Sequence, residues 1–310
     1  MTLPAELRAA VEAALAAQGD GSRIRSEETV GGGCISPAVR LETAAGERAF
    51  LKWSPEGEAP AGLFAAEAQA LRAIAATAAV RVPEVLAVRD TPPGEAPDAG
   101  DAGARWLLLE WLEPGTVSAG AAHALGEALA ALHRHRGEVF GWEEANFIGS
   151  LPQANHPRDH WPAFWAELRL EPQLRRARDA GHLGASEARR FERLFAALDE
   201  LLDAAAADGP SLVHGDLWGG NALWLADGGA ALVDPAVYHG HREVDLAMSE
   251  LFGGFGADFY AGYEAEWPLQ PEYRPGRRAV YQLYYLLVHV NLFGAGYVGG
   301  TLDALRQAGF

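Results

Sequence analysis

The side chains most able to do chemistry lie between His214 and Asn221 and at Asp234, which follows them after a short gap. Asp216 and Asn221 are five positions apart, and a predicted β-hairpin separates them from Asp234. Phosphoryl transfer requires a carboxylate that orients the attacking hydroxyl, and amide and carboxylate oxygens that hold Mg²⁺ on the ATP phosphates. We therefore predict that Asp216 is the catalytic carboxylate and that Asn221 and Asp234 are metal ligands.

Other interpretations of this loop remain open at this point. Asp and Asn also favour turns and caps, so Asp216, Asn221 and Asp234 could be ordinary loop residues. The ordered set, with a hairpin between its two halves, favours catalysis. His214 is predicted to brace the loop by hydrogen bonds, and Trp218 either caps the core or stacks on a substrate ring.

Lys52 is the only lysine among 25 basic residues, and it lies near the end of a predicted third antiparallel strand. Glu67 lies on the apolar stripe of the next predicted helix, residues 62–79, where its carboxylate would be buried. A buried carboxylate needs a cation or a set of donors, and Lys52 is the natural partner. In kinases a strand lysine joins the ATP phosphates to a helix glutamate, so both residues are predicted at a nucleotide site. The alternative is a surface lysine and an unrelated glutamate.

Three glycines, Gly31, Gly32 and Gly33, separate the first two predicted strands, where a phosphate-covering loop would lie. Three glycines also make a plain hairpin turn. Cys34 follows them, and our hypothesis is that its oxidation, or a disulfide between two molecules, inhibits the protein. Peroxide inhibition that is equally strong in a Cys34→Ala variant would refute this hypothesis.

The composition limits the class of partners. With 42 acidic and 25 basic residues the net charge is −17, which disfavours nucleic acid because basic residues supply most of the affinity for its backbone. One cysteine excludes an internal disulfide framework and a cysteine-cluster metal site. The first residues lack a signal-peptide pattern, and no apolar run approaches about 18 residues. We expect a soluble cytoplasmic protein that does not bind membranes.

The predicted elements divide the chain into two parts. Strands and one key helix fill residues 1–110, whereas residues 111–310 are mainly helical and contain one hairpin, at 222–233. We predict an α+β bilobal fold with a small antiparallel β-sheet lobe that binds ATP and a larger helical lobe that holds the catalytic and substrate residues. The hinge is predicted at about 110–116.

Departures from protein kinases narrow the class of substrate. Gly215 replaces the arginine that protein kinases pair with a phosphorylated activation loop, and Pro235 and Ala236 replace Phe-Gly. Only ten residues separate Asp234 from the next acidic anchor, Asp245, which leaves no room for an activation segment. The substrate is therefore predicted to be a small molecule or a small adduct presented on a protein.

Longer strings carry a more specific resemblance. They are Phe50 to Lys52, Phe64 to Ala68, Asn146 to Gly149, Trp161 to Leu174, His214 to Asn221, Asp234 to Tyr238, Gly240 to Met248, Leu251 to Phe255, Tyr281 to Tyr284 and Asn291 to Gly294. On these strings the chain resembles the fructosamine kinase (ketosamine 3-kinase) family, on the aminoglycoside-phosphotransferase branch of the protein-kinase-like fold. The resemblance covers about residues 22–298, and the loop at 91–103 departs from the family pattern.

The resemblance implies ATP- and Mg²⁺-dependent phosphorylation of a sugar-derived ketoamine at its 3-hydroxyl. The unstable phosphate ester then falls apart and frees the amine, a reaction associated with protein deglycation. Bacterial relatives tend to favour ribulosamines and erythrulosamines. The resemblance also implies that backbone groups near Glu110, Trp111 and Leu112 receive adenine and that Asp245 braces the catalytic loop. A monomer is expected, with a Cys34-linked dimer as the alternative.

Several assignments stay open. Arg242 and Glu243 are predicted either as substrate or loop contacts or as a solvated pair. His289, on a late helix with a core stripe, is a candidate substrate contact. The whole chain could instead be an aminoglycoside or choline kinase on the same fold, which the Trp218 loop and the Leu251 to Phe255 string disfavour. A catalytically silent nucleotide-binding scaffold is disfavoured by the complete set of site residues.

Overall fold

The computed structural model describes residues 2–31, 36–55, 57–90 and 104–310. Gly32, Gly33, Cys34 and the predicted loop at 91–103 lie outside the described residues. The chain forms two compact units, residues 1–117 with 220–234, and residues 118–219 with 235–310. The predicted N-terminal lobe comprises residues 1–110, whereas the first unit extends to residue 117 and also contains the hairpin that follows the loop of Asp216.

The first unit contains a five-stranded antiparallel sheet with strand order β1-β2-β3-β5-β4, two helices and the separate two-stranded hairpin. Its elements are α1 (Ala5–Ala17), β1 (Ile24–Thr29), β2 (Ala38–Thr43), β3 (Arg48–Ser54), α2 (Leu63–Thr77), β4 (Val85–Arg89), β5 (Arg105–Glu110), β9 (Ala222–Trp224) and β10 (Ala230–Leu232).

The core of this unit lies on one face of the sheet. Leu7, Val11 and Leu15 of α1 pack against strand residues that include Leu51. Successive side chains of a strand face opposite sides, so Lys52 points away from this core. It lies opposite Ala38 of β2 and Leu107 of β5 in the register of the sheet.

Asp90, directly after β4, holds the beginning of α2. Its carboxylate is fully buried and accepts the backbone N–H groups of Gly62 (3.0 Å), Phe64 (2.8 Å) and Ala65 (3.3 Å). Arg105 of β5 lies 3.4 Å from the same carboxylate. A carboxylate at this end satisfies unpaired N–H groups and interacts favourably with the helix dipole. The cap fixes the helix that carries Glu67.

The second unit is mainly helical. Its elements are α3 (Ala119–His133), β6 (Asn146–Ile148), β7 (Leu151–Gln153), α4 (Trp161–Trp165), a π-helix (Ala166–Leu170), α5 (Glu171–Asp179), α6 (Ala185–Ala206), β8 (Ser211–Val213), β11 (Tyr238–Gly240), α7 (Glu243–Phe252), α8 (Ala257–Glu266), a second π-helix (Tyr273–Arg277), α9 (Arg278–Phe293), a 3₁₀-turn (Ala295–Tyr297) and α10 (Val298–Gln307). A 3₁₀-turn, Gly219–Asn221, joins the two units along the chain.

The predicted α+β class is confirmed, with differences in detail. The predicted hairpin at 222–233 is present, a π-helix interrupts the helical run that begins at Trp161, and α8, α10 and the four other strands of three residues were not predicted. α8 packs closely on α3, since a Cβ on Gly126 would lie 2.0 Å from the Phe259 carbonyl oxygen. No helix in the described ranges is long and apolar enough to cross a membrane.

We expect Asp90→Ala to lower the free energy of unfolding by about 1–2 kcal/mol, because three N–H groups of α2 lose their acceptor. Urea denaturation measures the change. Asp203→Ala, which removes an exposed aspartate from α6, is the matched control and should change stability by less than about 0.5 kcal/mol. Equal stability of the two variants would contradict the role given to Asp90.

Candidate active site

Lys52 joins two carboxylates within the first unit. Its Nζ lies 2.8 Å from Oε1 of Glu67, and it also contacts Oδ1 of Asp234, 182 residues further along the chain. The three side chains are 6%, 14% and 26% exposed, respectively. The pairing of Lys52 with Glu67 is the one the sequence predicts, and the contact with Asp234 places the third predicted residue beside it.

The cluster carries an excess of negative charge, two carboxylates against one ammonium. Burial raises the pKa of the Glu67 carboxyl to about 7, the charge of Lys52 opposes that rise, and Asp234 adds to it. Asp234, the most exposed of the three, is held in the left-handed region at φ 55°. A partly exposed carboxylate in a negative cluster can accept a further cation.

Asn221 is brought next to this cluster by the β9–β10 hairpin. Its carbonyl oxygen accepts the backbone N–H of Val233, the residue before Asp234, at 3.0 Å. Asn221 is buried, and its residue type offers an amide oxygen. The hairpin therefore aligns the two predicted metal ligands, which are 13 positions apart in the sequence.

The predicted connector is hydrogen-bonded to the same hairpin. Gly115 N–H donates to the carbonyl of Trp224 (2.7 Å), and Ala226 N–H donates to the carbonyl of Glu113 (2.9 Å). Leu112 packs in a small apolar cluster with Leu225 of the hairpin. The connector and the predicted metal ligands are thus parts of one unit.

A cavity of about 360 Å³ opens beside the connector and β1. Trp111 lines it, with Arg40 over its ring at 5.5 Å, and the Trp111 indole N–H donates to Glu113 at 3.1 Å. The Glu110 side chain faces elsewhere, because it accepts from Arg81 and from the backbone of Glu84, both at 3.2 Å. Of the three glycines predicted to cover phosphate, only Gly31 is among the described residues.

The loop that carries Asp216 belongs to the second unit, and Asp245 holds it from beneath. Asp245 is fully buried, and its carboxylate accepts the backbone N–H groups of His214 (2.7 Å) and Gly215 (2.8 Å). His214 is also buried, and its Nδ1 accepts the N–H of Asp216 at 3.3 Å. Both side chains thus accept hydrogen bonds from the backbone of the loop that they are predicted to brace. Asp216 itself is half-buried.

A second pair of side chains, His133 and Tyr263, completes the site around Asp245. His133 Nε2 lies 3.0 Å from the Asp245 carboxylate, and its Nδ1 lies 2.9 Å from the Tyr263 hydroxyl. This geometry suits a neutral imidazole that donates to Asp245 and accepts from Tyr263. Burial lowers the pKa of His133, although Asp245 opposes that effect.

Gly215 and Tyr285 fix the backbone of the loop. Gly215 has φ +83°, and a Cβ there would lie 2.1 Å from the carbonyl oxygen of Ala236, so no other residue fits. Its own carbonyl accepts the Tyr285 hydroxyl at 3.0 Å. His133, Tyr263 and Tyr285 were not predicted as loop contacts, because all three occupy helix positions that also suit a plain core.

The predicted substrate residues have different surroundings. Trp218 is half-buried, and the next residue, Gly219, donates its N–H to the carbonyl of Gly253 at 3.1 Å. The His289 ring lies 4.3 Å from Phe252 and 5.0 Å from Tyr297, and its Nδ1 bonds the carbonyl of Tyr285. Burial lowers the pKa of His289. Both side chains remain accessible in part.

Arg242 and Glu243 are not a solvated pair, since both are buried. Arg242 donates to Asp208 (2.9 Å), the Tyr263 hydroxyl (3.2 Å) and the carbonyl of Pro268 (2.8 Å). Glu243 accepts two hydrogen bonds from Arg277 at 2.7 and 2.8 Å. The donors of Arg242 are therefore engaged inside the second unit, where the side chain supports the fold around His133 and Tyr263. This geometry favours a structural role for the guanidinium over contact with a substrate.

The neutral state of His133 has a consequence for stability. Because its pKa in the folded protein is below 6.5, the unfolded chain binds a proton first as the pH falls, and unfolding becomes easier. The groups that face it are Asp245, Tyr263, Arg242 and His241.

We expect His133 to lower the unfolding free energy as the pH falls from 7 to 5, and His133→Asn to remove that contribution, so that the variant loses less stability than the wild type over this range. Urea titrations at both pH values measure it. His135→Asn, at an exposed position, is the control and should leave the pH dependence unchanged. An unchanged pH dependence in His133→Asn would show that the imidazole is not held neutral.

Known proteins similar to this chain give the family. The model of the fructosamine kinase family matches residues 8–308. A probable ketoamine kinase of Synechocystis is 39% identical over 290 residues, which cover 93% of this chain and 92% of the relative. The ketosamine-3-kinase of Mus musculus is 32% identical and covers 92% of this chain, with 96% of its own length matched.

Solved structures give the fold. A Thermobifida fusca protein assigned as a fructosamine-3-kinase is 38% identical, with a TM-score of 0.79 and coverage of 93% of this chain and 94% of that chain. A choline kinase of Streptococcus pneumoniae, at 13% identity and TM-score 0.59, covers 97% of this chain and 99% of that chain and shows the fold alone. The predicted protein-kinase-like fold is confirmed, and the chain belongs to the fructosamine kinase family.

Proposed function

We propose that this protein transfers the terminal phosphate of ATP to the 3-hydroxyl of a ketosamine. The observation that carries the proposal is the Lys52 ammonium between the carboxylates of Glu67 and Asp234, in a chain of the fructosamine kinase family. The names of relatives support this substrate class, since they include a mouse ketosamine-3-kinase and a chloroplastic protein-ribulosamine 3-kinase of Arabidopsis thaliana.

In this proposal Asp216 orients the substrate hydroxyl and accepts its proton as the oxygen bonds to phosphorus and ADP leaves. Lys52, held by Glu67, grips the ATP phosphates. A compact ammonium suits this place because it bonds a carboxylate and phosphate oxygens from one point. Asp245 and His214 keep the Asp216 loop in the shape that this chemistry needs.

The oxygen donors fit Mg²⁺. Asp234 and Asn221 offer carboxylate and amide oxygens, the ligands that Mg²⁺ prefers, and phosphate oxygens usually complete its coordination. In the described part of the chain no group of three or more His, Cys, Asp and Glu side chains could hold a metal by itself. When bound, Mg²⁺ neutralises charge on the phosphates. The acidic excess around Lys52 would favour it electrostatically.

The proposal also assigns contacts with adenine and with the ketosamine. The backbone at Glu110, Trp111 and Leu112 is proposed to receive adenine, beside the cavity that Trp111 lines. Trp218 and His289 are the candidates for contact with the ketosamine. The proposal also includes a role in protein deglycation, a monomeric state and a cytoplasmic location.

Enzyme-coupled measurement of ATP turnover tests the proposal against four acceptors: a ribulosamine, a fructosamine, an aminoglycoside and choline. We expect turnover with a ketosamine, with ³¹P NMR showing the ester at the 3-position. Turnover with choline or the aminoglycoside alone would transfer the assignment to a small-alcohol kinase. No turnover with any of them would favour a nucleotide-binding scaffold.

We expect Lys52→Arg to fold but to lose at least 100-fold in kcat/KM, about 2.7 kcal/mol of transition-state stabilisation, because a guanidinium is longer and differently shaped. Steady-state kinetics with thermal unfolding measure both properties. Arg48→Lys, an exposed position on the same strand, is the matched control and should stay within twofold of the wild type. Near-normal turnover of Lys52→Arg would refute the role of Lys52.

A further inference from the structure

Three buried amide side chains form a continuous hydrogen-bonded chain in the second unit. Asn155 Nδ2 donates to Asn146 Oδ1 at 2.9 Å, and Gln153 Nε2 donates to the same oxygen at 2.8 Å. None of the three is more than 6% exposed. They lie on or beside the short strands β6 and β7, whose string Asn146 to Gly149 the mechanism proposed above does not use.

At one end, this series of hydrogen-bonded amides donates to backbone carbonyl groups at 236–237. That segment lies against the loop of Asp216. Asn146 Nδ2 donates to the carbonyl of Val237 (2.8 Å), and Gln153 Nε2 donates to that of Ala236 (3.2 Å). Ala236 N–H in turn donates to the carbonyl of His214 at 2.8 Å. The amides therefore hold the segment that supports the backbone directly before Asp216.

At its other end, the series of amides is bonded to a buried cation, the guanidinium of Arg169. Arg169 is fully buried, and its Nη2 donates to Asn155 Oδ1 at 2.7 Å while Nη1 donates to the carbonyl of Ala154 at 2.7 Å. The rings of Tyr238 and Phe164 lie 4.0 and 4.6 Å from its Cζ. Within the described ranges no carboxylate forms an ion pair with it, so aromatic faces and oxygen dipoles offset its charge.

The local sequence, with a proline at position 172, provides an acceptor for the buried guanidinium of Arg169. In a regular α-helix the carbonyl of Leu168 would bond to the N–H of residue 172, which is proline and has none. The helix opens into the π-helix Ala166–Leu170, and Arg169 Nη1 donates to the Leu168 carbonyl at 3.1 Å. The proline thus frees an acceptor that the guanidinium uses.

We propose that Arg169 is a positioning residue that sets the direction of the amide chain and, through it, the shape of the catalytic loop. A guanidinium only donates, so Asn155 must turn Oδ1 to Arg169 and Nδ2 to Asn146. Asn146 must then present Oδ1, which leaves its Nδ2 for Val237. We call Arg169, Asn155, Asn146 and Gln153 the amide relay.

Tyr284 contacts the relay from its other side. Its hydroxyl donates to Gln153 Oε1 at 2.6 Å, while Gln153 Nε2 is directed to the acceptors of Asn146 and Ala236. Every amide of the relay therefore has one orientation that satisfies its neighbours, and reversal of any of them would leave buried polar atoms unpaired. The inference rests on the role proposed for Asp216, because the loop matters for turnover only if Asp216 orients the acceptor.

Asn146→Asp tests the relay with almost no change of shape, since it replaces the donor to Val237 with an oxygen. We expect backbone amides at 213–215 and 236–238 to exchange hydrogen at least tenfold faster, measured by mass spectrometry. We also expect kcat to fall at least tenfold while the Kd of a fluorescent ATP analogue stays within twofold. The Kd should change little because the proposed phosphate and metal ligands belong to the first unit, whereas the relay belongs to the second.

Two arginine variants test the source of the orientation. Arg169→Met should reproduce the faster exchange, whereas Arg169→Lys, which keeps a donor-only cation, should show a smaller effect. Gln282→Glu is the matched control, because it replaces a buried amide that donates to the carbonyl of Ala247 at 3.0 Å, away from the relay. It should leave exchange at both segments within twofold.

Unchanged exchange at 213–215 and 236–238 in Asn146→Asp or in Arg169→Met would overturn the inference. An equal effect of Gln282→Glu would also overturn it, since any buried charge would then suffice. If Asn146→Asp does not fold, the comparison of Arg169→Met with Arg169→Lys decides by the same measurement. Exchange needs no substrate, so failure of the wild type on every acceptor would refute the proposed function alone.

Discussion

A single buried carboxylate, that of Asp245, holds together the loop of Asp216 and the helices that pack around it in the second unit. A carboxylate removed from water must have its oxygens satisfied, and here the loop of Asp216 provides two backbone N–H groups and α3 provides His133. Tyr263 of α8 completes the set by bonding to His133. The loop, three helices and one negative charge are thus interdependent, because none of the donors can leave without exposing that charge to an apolar interior.

Two of the buried arginines of the same unit, Arg169 and Arg277, lie in π-helices that precede or contain a proline. Arg277 ends the second π-helix, which contains Pro275, and is neutralised by a two-point bond to Glu243. Arg169 has carbonyls, an amide and aromatic rings instead. Buried ion pairs contribute little to the net free energy of folding, but removal of one partner is costly. Buried arginines therefore select one arrangement of the chain more than they increase the stability of the fold.

Local patterns predicted the pairing of Lys52 with Glu67. Strand alternation and the helix stripe place Lys52 and Glu67 on facing surfaces, and both are short-range properties of the sequence. Helix α8 was missed because it packs through Gly126 and Gly262 instead of a broad apolar stripe. The partners of Asp245 and the buried amides were missed for a different reason. A buried polar residue follows no periodicity, and only the tertiary structure shows which group satisfies it.

The burial of Lys52 has one more chemical meaning. It is the only side-chain amine in the sequence, and it is held by two carboxylates with a side chain 6% exposed. Sugars form ketosamines with free amines that can reach solvent, whereas the other 24 of the 25 basic residues are arginines, whose protonated guanidinium groups are poor nucleophiles. The surface of the folded protein therefore offers reducing sugars no lysine to modify, and the one lysine that turnover would need is kept out of their reach.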